Sequence, residues 1–156
     1  MPYPKLKNRE DLLKMLEEMI HTRKKILELC DQATTEQLLD SVYPGTWSVL
    51  KNLAHLAMAE LYLLAHVKSR PVAPSKSDLP AEPPLDLNAI RIALDESHAT
   101  VIAFLKAHPE SVLEEPCVYG GSQTQESVGG IFYHIIEHEI GHRTFVLHKL
   151  KKLLGK

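Results

Sequence analysis

Apolar residues recur at three- and four-residue steps in four long stretches of the chain, and no stretch shows the sustained alternation of a strand. The first stretch predicts a helix over residues 8–31. Leu12, Leu16, Met19, Ile20, Ile26, Leu27 and Cys30 form its buried face. Asn8 is placed to cap it, and Asp11 lies near the positive end of the helix dipole. A short turn of helix is expected over Thr35–Leu39, and Pro44-Gly45 then breaks the chain.

The second long helix begins near Thr46 or Trp47 and ends near Arg70. Leu50, Leu53, Ala57, Leu61 and Leu64 form its main stripe, with His55 on the far side beside Ala59, Tyr62 and His66. Only Lys51, Glu60 and Lys68 carry charge between Val49 and Lys68, so this helix is expected to be buried on more than one face. His55 can therefore look into a pocket or a subunit contact rather than into solvent. Residues 71–84 hold five prolines and no periodicity, which predicts a linker without secondary structure of its own. A helix of roughly 24 residues is about 36 Å long, and roughly 15 extended residues reach about 50 Å. The linker is thus long enough to run back along the bundle and start the next helix parallel to the second. The third long helix is expected over residues 86–107, with Leu87, Ile90, Leu94, Val101, Phe104 and Leu105 inward, and His108-Pro109 ends it. An irregular segment over 110–127, with a turn at Gly120-Gly121, leads to the fourth helix over 128–154. The expected architecture is an all-α four-helix bundle in one domain, residues 1–156, with a long crossover between helices 2 and 3 and no sheet.

Composition narrows the function classes. The 156 residues are 44% apolar and 24% charged, ordinary values for a globular chain, and the formal net charge is −2. No large positive field points to nucleic acid. Lys149, Lys151 and Lys152 read as charge complementing a helix end. The amino terminus lacks an apolar signal region, and no apolar run is long enough to span a bilayer, so a cytoplasmic protein without membrane contact is expected. Cys30 and Cys117 form no metal or redox motif and are expected to be free thiols, Cys30 in the core.

The chemistry lies in the nine histidines. The fourth helix carries His134, His138 and His142, and residues four apart stand one above the other on one face. Two such imidazoles can bind one ion, and neutral imidazole suits zinc, nickel, copper or ferrous iron. Ile131, Ile135, Phe145 and Val146 are expected around the pair, and burying several imidazoles without partners is costly. Spacing leaves open whether the pair is His134/His138 or His138/His142. It leaves the third ligand open among His55, His66, His21 and His98. His148 lies off the line and reads as a surface residue.

Two runs of residues resemble the DinB-like superfamily, which includes the DinB and YfiT-like proteins. One is Gly45-Thr46-Trp47-Ser48 followed by Leu53-Ala54-His55-Leu56-Ala57 and Glu60. The other is His134-Ile135-Ile136-Glu137-His138-Glu139-Ile140-Gly141-His142-Arg143. The resemblance covers the whole chain and implies that His55, His138 and His142 bind a divalent metal, zinc or nickel before iron or manganese, with His134 in support. Thr144 departs from the family, in which glycine commonly follows the His-Arg pair, and tighter packing is expected there. Relatives of this kind include S-transferases that use bacillithiol, mycothiol or glutathione, an isomerase of maleylpyruvate, and metal-dependent hydrolases.

The resemblance implies a metal-dependent enzyme of the thiol S-transferase or hydrolase type. It would act on a small molecule, possess no catalytic cysteine of its own, and in the transferase case take a low-molecular-weight thiol as cofactor. Such an ion would make a bound water or thiol nucleophilic near neutral pH. Glu60 and Tyr62 are candidate supporting groups, against a solvated or inter-helix ion pair for Glu60 and packing for Tyr62. Trp47 is expected as a core anchor, and Arg143 lies off the ligand face. The competing readings are a non-enzymatic metal-binding stress-response protein and a dimeric bundle whose histidines are structural only. The two-sided second helix makes a homodimer an expectation.

Overall fold

A computed structural model of the chain describes residues 8–119 and 124–156. Its elements are α1 (Arg9–Cys30), α2 (Thr35–Leu39), α3 (Val49–Ser69), α4 (Leu87–Ala107), β1 (Pro116–Tyr119), β2 (Thr124–Ser127) and α5 (Val128–Leu153). Each long helix starts on the cap its sequence supplies. The side chains of Asn8, Ser48, Asp86 and Ser127 accept from the backbone N–H three residues on, satisfying a donor that would otherwise be orphaned. Thr34 and Gln37 form a reciprocal capping box on α2.

Two apolar layers set the helix directions. In one, Leu12, Leu16 and Met19 of α1 pack with Leu63, Leu64 and Val67 of α3, Val101, Phe104 and Leu105 of α4, and Val128 to Ile136 of α5. In the other, Ile26, Leu27 and Cys30 meet Leu50, Leu53 and Ala57, Ile90 and Leu94, and Val146 and Leu150. The first halves of α1 and α5 thus share a layer with the second halves of α3 and α4. α3 and α4 run parallel, and α1 and α5 run the other way. The 70–86 connection makes this possible by returning along the bundle, as its length allows, with one turn of 3-10 helix at Lys76–Asp78. As expected, α3 is buried on several sides, including Asn52, Glu60 and His66.

The structure departs from the expectations at several points. Residues 110–119 and 124–127 are not irregular. A 3-10 turn (Glu110–Glu114) is followed by an antiparallel hairpin that pairs Pro116 with Ser127 and Tyr119 with Thr124. Strands of four residues are too short to show alternation, which is why no sheet was expected. The Gly120-Gly121 turn lies outside the described residues. Ile20 is not core. It is 49% exposed and borders a groove between α1 and α4, and Phe145 is exposed as well. Lys149 does not serve a helix end. It is buried, and its ammonium donates to the carbonyls of Ser41 and Trp47 and to Thr46 Oγ1, tying the chain before α3 to α5. Thr144 tightens nothing: it is exposed and bonds back to the Ile140 carbonyl. No helix among the described residues is long and apolar enough to cross a membrane.

Candidate metal centre

α3 and α5 pack antiparallel, which sets the middle of one against the middle of the other. His55 from α3 thereby meets His138 and His142, one turn apart on α5. The three offer one nitrogen each, all within 4.8 Å of one another. His55 Nε2 and His138 Nε2 are 3.2 Å apart. Two imidazoles on one tetrahedral ion, each at about 2.0–2.1 Å, stand about 3.3 Å apart. All three rings are half-buried.

Neighbouring hydrogen bonds fix which nitrogens face inward. Asn52 Nδ2 donates to the carbonyls of Ser48 (2.9 Å) and Trp47 (3.3 Å). Its Oδ1 is then an acceptor, and His142 donates to it from Nδ1 at 2.8 Å. The proton of His142 therefore sits on Nδ1, and Nε2 is left with a bare lone pair. Glu82, brought in by the crossover, stands 3.6 Å from His55 Nδ1, while its other oxygen takes Lys51. A carboxylate or amide behind the imidazole, as His142 and His55 have, is the arrangement that orients metal-bound histidines. Burial holds the pKa of His138 down at about 4, with the neighbouring His142, His55 and His134 adding to the effect. Burial and His55 also lower that of His142. Near neutral pH the rings of His138 and His142 are neutral, the form that ligates. The residues present fit a divalent ion.

Trp47, expected in the core, instead covers the histidines. It is 44% exposed, its ring stacks on His142 at 6.0 Å and lies 5.0 Å from His55, and Lys51 sits over its face. On the other side of the histidines lies a cavity of about 210 Å³ bounded by Met58, Ala59, Tyr62, Tyr119 and His134. Tyr119 Oη and His134 Nε2 are 3.2 Å apart. His134 thus lines the cavity rather than joining the three-nitrogen cluster.

The other candidates are accounted for elsewhere. His98 donates from Nδ1 to Glu60 (2.8 Å) and from Nε2 to the Leu16 carbonyl (2.6 Å). His66 bonds to the Tyr62 carbonyl, and His21 is exposed on α1. His148 is on the surface against Tyr43, as expected. Glu60 is an inter-helix ion pair rather than a site group. Arg23 of α1 reaches it, donates from Nε to Glu139 (2.6 Å) and from Nη1 to the Leu94 carbonyl (3.1 Å). Burial would raise the Glu60 carboxyl, but the His98 hydrogen bond and the Arg23 charge hold it below the ordinary glutamate value. Glu139 goes the other way: burial pushes it up despite Arg23, and its Oε2 has no partner among the described residues. Arg143 donates to Thr22, away from the cluster. Cys30 and Cys117 are free and buried, and burial pushes Cys30 up to about 12 and Cys117 upward. Neither is an available nucleophile.

Sequence reasoning missed Asn52, Glu82 and Tyr119. Only Asn52 left a signal, as a polar residue on an apolar helix three positions before His55.

A helical bundle with parallel middle helices and a histidine cluster between α3 and α5 defines a recognisable class. The chain belongs to the DinB superfamily, whose family model matches residues 18–146. Among solved structures it is similar to YfiT from Bacillus subtilis, described as a probable metal-dependent hydrolase with an unusual four-helix bundle topology. That likeness has a TM-score of 0.71 at 16% identity, over 99% of this chain and 94% of the other. A DinB-like protein from Bacillus cereus is similar at a TM-score of 0.67 and 17% identity, over 90% of this chain and 91% of the other. These likenesses establish the fold. No curated protein matches the chain in sequence.

Proposed function

We propose that the chain is a metal-dependent enzyme that transfers a group of a small molecule to water or to an external low-molecular-weight thiol. His55, His138 and His142 would hold one divalent ion, zinc or nickel before iron or manganese. The observation that carries this reading is the convergence of three imidazole nitrogens within 4.8 Å of one another, with His142 oriented from behind by Asn52 and Glu82 close behind His55. When bound, such an ion supplies Lewis acidity, through which water or a thiol becomes nucleophilic near neutral pH. A purely structural metal site is closed by a fourth protein ligand, whereas here the cluster opens onto a cavity. That cavity favours an enzyme over a storage or stress-response role.

The chain's own groups have distinct tasks in this reading. Met58, Ala59 and Leu63 offer an apolar surface to the substrate body. Tyr62, Tyr119 and His134 place polar groups where a substrate oxygen can be bound. Trp47 shields the far side from water. At about 210 Å³ the space admits a compact molecule or the reacting end of a larger one. With both cysteines buried, any thiol must come from outside the chain.

The test is metal content by elemental mass spectrometry on wild type and His55→Ala, purified without chelator or histidine tag. About one ion per wild-type chain, absent from the variant, supports the site and directs a search for hydrolysis with and without added thiols. No metal in the wild type, and none taken up on titration, overturns the reading.

A further inference from the structure

Among the described residues Lys149 is the one buried lysine, 3% exposed, and no carboxylate lies within ion-pair distance of it. Burying a charge without a counter-charge is costly, and an apolar side chain of similar volume often packs as well. The ammonium is spent on neutral oxygens of one segment: the Ser41 carbonyl (2.9 Å), Thr46 Oγ1 (2.8 Å) and the Trp47 carbonyl. That segment is itself strained. Val42 stands at φ 68°, in the left-handed region that a β-branched residue enters only at a cost. It does so inside a tight turn closed by the Tyr43 N–H on the Ser41 carbonyl at 2.7 Å. The lysine is not needed to satisfy these acceptors. Without it the Ser41 carbonyl keeps the Tyr43 N–H, and the Trp47 carbonyl keeps the Asn52 amide.

What the lysine and the strained turn hold in place lies at the metal centre. The Trp47 carbonyl is shared by Lys149 and Asn52 Nδ2, and Asn52 Oδ1 in turn accepts from His142 Nδ1 at 2.8 Å. The Trp47 ring lies 5.0 Å from His55 and stacks on His142 at 6.0 Å. Lys149 follows His142 by about two turns on the same face of α5. One helix thus presents both the imidazole and the clamp to the start of α3. A shift of the shared carbonyl would disturb the ring that covers the imidazoles and the amide that orients one of them.

We propose that Lys149 is a positioning residue of the metal centre, fixing through the Trp47 carbonyl both the tryptophan cover and the Asn52 support of His142. The proposal rests on the reading of His55, His138 and His142 as ligands.

Trp47 is the only tryptophan of the chain, so its emission reports the cover directly. Lys149→Met is compared with wild type, with Lys151→Met at an exposed position of α5, and with Asn52→Ala. The measurements are zinc affinity by competition with a chromogenic chelator and acrylamide quenching of Trp47 in the metal-free chain. Lys149→Met is expected to keep the helical content of wild type by circular dichroism, to bind zinc about tenfold more weakly, and to leave Trp47 more open to the quencher. Lys151→Met should match wild type. In an Asn52→Ala background the lysine change is expected to cost much less, because His142 has already lost its support. Equal zinc affinity in wild type and Lys149→Met, unchanged quenching, or full additivity with Asn52→Ala would each overturn the proposal and leave the ligand reading standing. A wild type that binds no zinc sinks both. If Lys149→Met does not fold, Lys149→Gln, which keeps a donor, is held to the same criteria. Failure of both to fold would make Lys149 a structural tie and overturn the proposal as well.

Discussion

At the scale of single residues, the buried polar groups matter more than the apolar ones, because each must be matched by a partner from another element. Asn52 is the clearest case. Its amide holds His142 with Nε2 inward while bonding the backbone ahead of α3. Asn52→Ala is expected to weaken metal binding about 10- to 100-fold while leaving the helical content intact, measured by competition with a chromogenic chelator. Unchanged affinity would remove Asn52 from the site. Glu60 gives a stability prediction. Glu60→Gln leaves the buried Arg23 with Glu139 but without the charge of Glu60, and is expected to cost about 1–3 kcal/mol at pH 7 in denaturant unfolding. The folded pKa of Glu60 lies below its ordinary value of 4.5. Its contribution is therefore complete above that value and fades as pH falls through the lower folded one. The gap between wild type and variant should narrow in acid. A gap that stays constant down to pH 3 would contradict the ionised pairing. These residues were only half legible in the sequence. Glu60, His98 and His142 showed as polar positions on apolar helices, but their partners lie 37 to 90 positions away. Trp47 misled for the same reason. A tryptophan at a helix start usually packs inward, and here its ring covers histidines donated by two helices.

At the scale of elements, legibility followed length. Four helices of 21 to 26 residues repeat their apolar pattern many times over, and their caps are local. The hairpin has four residues per strand and no repeat to read, yet it delivers Tyr119 to the cavity wall. The start of α5 shows how closely the segment before it is packed. A Cβ at Gly129 would stand 3.1 Å from the Leu113 carbonyl oxygen, a backbone atom that cannot step aside cheaply. A Cβ at Gly141 would meet nothing within 4 Å. Gly129→Ala is accordingly expected to destabilise by about 1–3 kcal/mol, and Gly141→Ala to stabilise by about 0.5–1 kcal/mol through helix propensity. Thermal unfolding of both variants checks the pair. If both changes carry the same sign, the close approach at Gly129 is not what separates them.

At the scale of the whole molecule, the candidate metal centre joins three parts that the chain order keeps apart: α3, α5 and, through Glu82, the crossover. An ion bound only by the folded state stabilises it by RT ln(1 + [L]/Kd), about 2.7 kcal/mol at a hundredfold excess over Kd. Zinc or nickel is therefore expected to raise the melting temperature of wild type and not of His55→Ala, read by calorimetry before and after chelation. An equal rise in both would place the ion elsewhere. The order of helix directions has its own consequence. In a bundle that alternates up and down, the first and last helices begin and end at the same end of the molecule. Here α1 and α5 point the same way, so the first turn of α1 and the last turn of α5 lie at opposite ends of the bundle. A force drawn between those two points does not peel one helix from the rest. It slides α1 lengthwise against α5, so that both apolar layers and the Arg23–Glu139 bridge must yield together. Held by its two ends, the molecule resists as a lap joint does, not as a zipper.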